Sequence, residues 1–373
     1  MRLQLVLAWS LLGVLARGLA GQVDVRTGVL YENYSFDSLV VFKRVAELSV
    51  PVVVTARLGS AVDLTLSTGY VRTELISRDT AQLRDQMLSG PVDTEARLGY
   101  HLVPGRLIMI ATGAVPSGRK TVSLDQLAVL GALSSDVVGF STPSVGSGGN
   151  FGAGLVAALP VNRWAVGLGA TYRHALAYRP IAGQPDTTLQ PGGEFRLRAG
   201  LEGALARRTY LRVAGVLASR QKDRVNRQVR HGVGNRVVGY VALDQGLGRA
   251  SVSVYAFDVF RSNPQIEPNV VGAVVPRGNL FTFGTVLTFR LSNRVVLAPR
   301  VEYRSSALAQ DTSDTSLKRA GESWRAGGEF RLDLGNSFSL VLQGSAMSGK
   351  VIPPGGETRM GGYRFGAVLE LRP

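Results

Sequence analysis

The sequence predicts an all-β protein, a transmembrane antiparallel up-and-down β-barrel of about sixteen strands, with fourteen admitted by an error of two in the count. Three observations predict it. Apolar and polar residues alternate with period two through about sixteen segments, the connections between them alternate between tight and long, and no run of 18 apolar residues follows residue 22. The composition agrees with this. A chain of 373 residues, 45% of them apolar and only 18% charged, is neither a disordered polypeptide nor a small stapled module. The 45 Gly show no Gly-X-Y period and so belong to sheets and turns, and the absence of Cys rules out disulfides, lipidation and thiolate metal sites.

At the N-terminus, Met1 and Arg2 precede an apolar run over residues 3–15, and small residues follow at Gly18, Ala20 and Gly21. This reads as a secretory signal peptide over residues 1–21, because the run is shorter than the roughly 20 residues that span a bilayer as a helix. Residues 22–373 then form the barrel. Its strands are expected near 25–34, 45–57, 61–73, 93–103, 106–116, 150–160, 163–177, 193–205, 208–219, 235–247, 249–261, 278–291, 293–305, 322–334, 337–348 and 361–372. Alternation is cleanest in 195–202, 281–291, 324–334 and 363–371, where one parity is apolar or small and the other holds Arg, Glu, Asp, Thr or Gly. Two segments depart from it. Residues 107–111 are apolar on both parities, and 251–260 change parity partway, as a β-bulge would make them.

Tight turns fall at Gly59, Pro104-Gly105, Val161-Asn162, Ala206-Arg207, Gly246-Leu247-Gly248, Ser292-Asn293 and Gly335-Asn336. Longer polar connections separate them, at 74–92, 117–149, 178–192, 220–234, 262–277, 306–321 and 349–360. Short turns on the periplasmic rim, long loops outside and an even strand count are what an outer-membrane barrel requires, and the hydrocarbon forces the sheet to close. A soluble propeller or sandwich would not need every second loop to be long.

The formal charge of +15 then acquires a location. Arg97, Arg173, Arg196, Arg198, Arg212, Arg236, Arg290, Arg300, Arg304, Arg325, Arg331 and Arg364 sit on the polar parity of strands, joined by Glu32, Asp63, Glu202, Asp244, Glu302, Glu329, Asp333 and Glu370. One such charge facing lipid at mid-membrane costs about 2–4 kcal/mol, so these residues are expected to line the lumen. Arg97, Arg173, Arg198, Arg300, Glu302, Arg325, Glu329 and Arg364 are the candidate lumen-lining residues. Pairing across neighbouring strands is one use for them; the surplus of Arg over acid is the other, and it would enrich anions in the channel. Dispersed at every second strand position, they do not form a nucleic-acid surface. Trp164, Trp324, Tyr172, Tyr210 and Tyr303, near strand ends, fit aromatic girdles.

With these features the mature chain resembles the Gram-negative outer-membrane porin-like barrels, as an architecture rather than a residue motif. In the sixteen-stranded porins the third external loop folds into the lumen as a constriction. Here the third external connection, counted after 35–44 and 74–92, is 117–149; it is also the longest, and carries a helix-like stretch over 123–133 in which Leu124, Leu127 and Leu130 or Ala128 could share a face. Leu124, Asp125, Leu127, Asp136 and Pro143 are its candidate constriction residues. Porin constriction loops are typically rich in acid, whereas this one has only Asp125 and Asp136.

The resemblance implies an outer-membrane location and, as partners, outer-membrane lipids, small solutes of anionic character and the barrel assembly machinery; it leaves a homo-oligomer open. No cofactor or metal is expected. His101, His174 and His231 lie far apart in sequence, with no H-E-x-x-H or G-x-S-x-G motif to support catalysis. The leading expectation is a passive, porin-like channel with anion preference. An outer-membrane transporter of hydrophobic compounds is the alternative, and an enzyme barrel the third reading.

Overall fold

The computed structural model describes residues 22–372, except 38, 80–83, 134–137, 143–144, 185, 269, 271–273, 312–315, 336 and 354. The expected signal peptide, together with Asp136 and Pro143, lies outside the described residues.

The strands are β1 (Val23–Phe36), β2 (Phe42–Leu58), β3 (Val62–Ser77), β4 (Gln86–Val103), β5 (Leu107–Val115), β6 (Asn150–Val161), β7 (Trp164–Ala175), β8 (Leu189–Gln190), β9 (Glu194–Ala206) and β10 (Thr209–Arg220). They continue with β11 (Arg224–Val225), β12 (Gln228–Val229), β13 (Arg236–Leu247), β14 (Ala250–Arg261), β15 (Gly278–Arg290), β16 (Val295–Leu308), β17 (Lys318–Asp333), β18 (Phe338–Val351) and β19 (Thr358–Leu371). Short β8, β11 and β12 make a small sheet of their own; the other sixteen close into one antiparallel barrel. The seam joins the first strand to the last, with Val25 opposite Leu371 and Phe36 opposite Met360. Each strand of the sixteen matches one of the segments expected from alternation.

Tight turns close because their residues tolerate a left-handed backbone. Gly59 and Gly105 stand at φ +67° and +69°, and Asn162 at φ +53°. The one segment expected to carry a bulge does not. β14 pairs without a register break along both neighbours, so its change of parity is a change of residue type alone. Register shifts occur elsewhere, at Phe42/Arg44, Ser67/Gly69, His101/Val103, Thr209/Tyr210 and, opposite β17, Ser306/Ala307.

Strand period two separates the faces. One face exposes large apolar side chains such as Leu155, Leu168, Leu197, Val241, Phe283, Leu342 and Phe365, while the other holds the charges and packs against the 117–149 connection. Register puts all twelve of the named arginines on this inner face. Trp324, at 57% exposure, and Tyr303 pack with tilted rings 4.9 Å apart on the outer face, and Tyr172 of β7 also lies on the outer face. Tyr210 corrects the girdle expectation: it pairs with Asp244, whose carboxylate binds Arg212, so its ring shares the inner parity.

A sheet closed by the β1–β19 seam is expected to resist cold SDS. The protein should migrate anomalously before boiling and at its chain mass afterwards, on a gel of detergent-extracted material; recovery as a water-soluble monomer would contradict the fold.

Candidate lumen and its internal loop

The connection between β5 and β6 is tied at its base. The carboxylate of Asp93, in β4, accepts hydrogen bonds from Gly118 N–H (2.9 Å) at one root and from Ser147 N–H (2.7 Å) and Oγ (2.9 Å) at the other. Next to the first root, Val122 bridges Ile181 of the following external loop. Near the second, Gly148 and Gly149 take φ +78° and +93°; a Cβ on Gly148 would strike the ring of Tyr178, whose phenol burial pushes above its ordinary pKa.

Past Ser123 the chain forms a 3-10 turn (Leu124–Gln126) and then helix α1 (Leu127–Leu133). The buried face differs from the expected one. Val129, Ala132 and Leu133, spaced i, i+3, i+4, are buried, whereas Leu124 is 56% and Leu127 43% exposed. The helix starts at Leu127, which sets the phase, and the wall selects whichever face meets its apolar side chains. These are Val45, Val71, Leu75 and Leu88 of β2 to β4, with Tyr34, Phe36, Met347 and Met360 across the seam. Asp125 stands in the exposed first turn.

Beyond the helix the loop reaches inner residues of β1, β16, β17 and β19. Arg325 donates from Nη2 to the Val138 carbonyl (3.4 Å) and to Tyr34 Oη (3.1 Å), and Arg364 donates to the Gly139 carbonyl (3.1 Å). Gly139 has φ +66°, and a Cβ there would collide with the Arg304 guanidinium. Ser141 N–H donates to Glu32 Oε2 (2.8 Å), Arg364 Nε to Glu32 Oε1 (2.6 Å), and the Phe140 ring meets Tyr34 edge-on at 5.0 Å. Glu47, directly opposite Glu32 in the β1–β2 register, accepts from the Thr73 hydroxyl (3.5 Å). Both carboxylates are fully buried. From β5 through β1 to β16 is eight strand steps of sixteen, so the loop crosses to the opposite wall.

The remaining candidates divide by pairing. Glu302 accepts from Tyr255 Oη (2.9 Å) and lies 3.5 Å from Arg304. Arg173 joins Arg196 and Arg220 around Glu194, a carboxylate that the sequence reading passed over, although its i, i+2 spacing to Arg196 puts both on one face. Arg97, Arg173 and Arg196 share a recess of about 290 Å³ with Glu95 and Asn150. Glu329 lines another, of about 370 Å³, with Arg26, Arg331 and Gln343. Arg97, Arg198 and Arg300 have no ion pair among the described residues. Asp93 was also missed, since a single Asp in an irregular strand carries no periodic signal.

A closed sheet with an apolar outer belt and its charges turned inward has one physical setting. The chain is an outer-membrane β-barrel. Among solved structures the barrel is similar to a bacterial polysaccharide outer membrane secretin, at TM-score 0.49 and 9% identity over 94% of this chain and 98% of that one. It is also similar to OpdQ of Pseudomonas aeruginosa (TM-score 0.45, 9% identity, 95% and 99% covered) and to OmpT, an outer membrane protein of Vibrio cholerae (0.43, 9%, 95% and 98%). No protein-family model and no curated protein sequence matches the barrel.

Arg364→Met leaves Glu32 buried without its guanidinium, and breaking a buried pair this way costs about 3–5 kcal/mol. Urea unfolding in detergent micelles should show a loss of that size, partly restored by adding Glu32→Gln; a double variant whose loss equals the sum of the two single losses would show that the two side chains are not coupled.

Proposed function

We propose that the barrel is a passive outer-membrane channel for small solutes, with a preference for anions, and that residues 117–149 narrow it. The observation that carries this reading is the set of inward arginines, Arg97, Arg198 and Arg300, that form no ion pair with a carboxylate among the described residues. An inward cation without a partner, set in low-dielectric walls that focus its field into the channel, raises the local concentration of anions and repels cations. Other inward charges are paired, as at Glu302–Arg304 and Glu32–Arg364, and the inward Glu95, Glu202 and Glu329, which have no ion pair among the described residues, offset part of the arginine surplus. Glu194 only partly offsets its three arginines.

The transporter reading needs a free apolar path. The inward apolar residues of β1 to β4, β18 and β19 are instead covered by Val129, Leu133, Val138 and Phe140 of the loop. The enzyme reading needs grouped reactive side chains. His101 holds Asp63 at 2.6 Å on β4, His174 packs against Phe151 on the outer face, and His231 accepts from the Glu267 N–H in an external loop, so no two of them meet.

In a salt gradient across a planar bilayer, the reversal potential should report anion preference, and the preference should weaken as salt rises and the Debye length shrinks. Replacing Arg97, Arg198 and Arg300 together with Gln should reduce it. Cation selectivity of the unmodified protein would overturn the reading.

Deleting residues 121–145 leaves both Asp93-bound roots in place. Single-channel conductance and solute uptake should both rise markedly; unchanged conductance in a variant that keeps its cold-SDS mobility would remove the narrowing role.

A further inference from the structure

The outer face, read strand by strand, is almost free of charge. Among the described strand residues, the exceptions gather at the external ends of neighbouring strands: Arg72 and Glu74 on β3, Arg44 on β2, Arg359 on β19, Lys350 on β18, and Glu322 with Arg319 on β17, while Asp258 stands apart on β14. Their orientation follows from register. Arg44 opposes Ser35, Arg359 and Lys350 are paired, and Glu322 opposes Lys350, all on the parity of Tyr31, Tyr363 and Phe365. β2, β3 and β17 have 17, 16 and 16 residues. A tilted strand crosses the hydrocarbon with about 9–11 residues, so these ends stand at headgroup level or beyond.

Most charges in this patch are already satisfied by one another. Arg72 binds Glu74 at 2.6 Å, Lys350 binds Glu357 at 2.9 Å and Glu322 at 3.5 Å, and Arg319 binds Glu322. Arg44 and Arg359 are left over. Neither has a side-chain partner among the described residues, and Arg44 Nε and the nearby Asn33 Oδ1 are buried without one. Arg44 and Gly361 both oppose Ser35, so their backbones lie two strand spacings apart, about 10 Å, with Arg359 two residues further out. Directly below, Tyr363 and Phe365 stack with centroids 5.9 Å apart, the tilted ring of Tyr31 packs 5.2 and 6.1 Å from Phe365 and Tyr363, and Val29 is exposed beneath them.

We infer that this patch binds a phosphorylated lipid of the outer leaflet, its phosphate held between Arg44 and Arg359 and its acyl chains lying along Tyr31, Phe365 and Val29. The two guanidiniums offer forked donors, the geometry that suits a phosphate better than a point charge would. The aromatic steps and the apolar belt below fit an amphiphile rather than a free ion. Among the described residues the rest of the outer face offers lipid no such contact, so binding is confined to one sector of the circumference around the β1–β19 seam.

The test uses the full mature protein in dodecyl maltoside, titrated with diphosphorylated lipid A and, separately, with the same lipid after phosphatase treatment, with retention read by native mass spectrometry. The wild type should retain the phosphorylated lipid at least tenfold more tightly than the dephosphorylated one, an arm that needs no variant. Arg44→Gln with Arg359→Gln should abolish that difference while keeping cold-SDS mobility, and Arg44→Lys with Arg359→Lys should keep part of it. Equal retention of both lipids by the wild type would overturn the proposal. So would displacement of the lipid by millimolar inorganic phosphate, which would make this a free-anion site, or a dimer in light scattering that the Gln variant dissolves, which would give the surface to a second copy of the chain.

Discussion

A strand in hydrocarbon has no water to turn to, so each backbone N–H and C=O must be paired within the sheet, and the rest of this structure depends on that constraint. It obliges Val23–Phe36 and Thr358–Leu371 to meet, although nearly the whole chain separates them. Closure in turn fixes two surfaces with opposite demands. Lipid accepts the leucines and phenylalanines of one parity, and the lumen receives everything that lipid would reject. The same division explains why so basic a chain presents an outer belt that is nearly uncharged: the arginines are inside, and the few that are not stand where the strands outlast the membrane.

Inside the barrel, the connection between β5 and β6 brings a second kind of constraint. An apolar strip on the inner wall of β1 to β4 would be exposed to water in an empty lumen, and burying it against Val129, Leu133 and Phe140 is worth about 25 cal/mol per Å². Its far end is held by charged groups instead, with Arg325 and Arg364 on the Val138 and Gly139 carbonyls and Glu32 on the Ser141 N–H. Burial holds the near half of the loop and charge-assisted hydrogen bonds the far half, so neither half depends on the other's solvent exposure.

Much of this was legible in the sequence because alternation is a direct imprint of the two surfaces. The sixteen strands, the seven tight turns and the inward parity of Arg97, Arg198, Arg300 and Arg364 all follow from period two. What period two does not encode is contact across the lumen. Leu124 and Leu127 have a plausible helical spacing, yet the wall meets Val129, Ala132 and Leu133, because the phase of a seven-residue helix is set by where it docks. Asp93 gathers Gly118 and Ser147 from 25 and 54 residues away, and Glu194 gathers Arg173 and Arg220 from the neighbouring strands, 21 and 26 residues away; no local pattern announces those meetings. The parity change in β14 looked like a bulge because Asp258 interrupts an apolar face, and only the register shows that the backbone continues unbroken.

Asp93 has a consequence for how the protein tolerates change. Because one carboxylate receives Gly118 and Ser147 together, the two ends of the loop are neighbours whatever chain lies between them. To the barrel, β5 and β6 are joined by a short staple, and the roughly thirty residues beyond it are an appendage whose closure entropy changes by only about 0.6 kcal/mol for each doubling in length. The wall can therefore keep its register while the segment inside it is shortened, lengthened or replaced, which makes the filling of the barrel interior and the integrity of the sheet two separately adjustable properties of one chain.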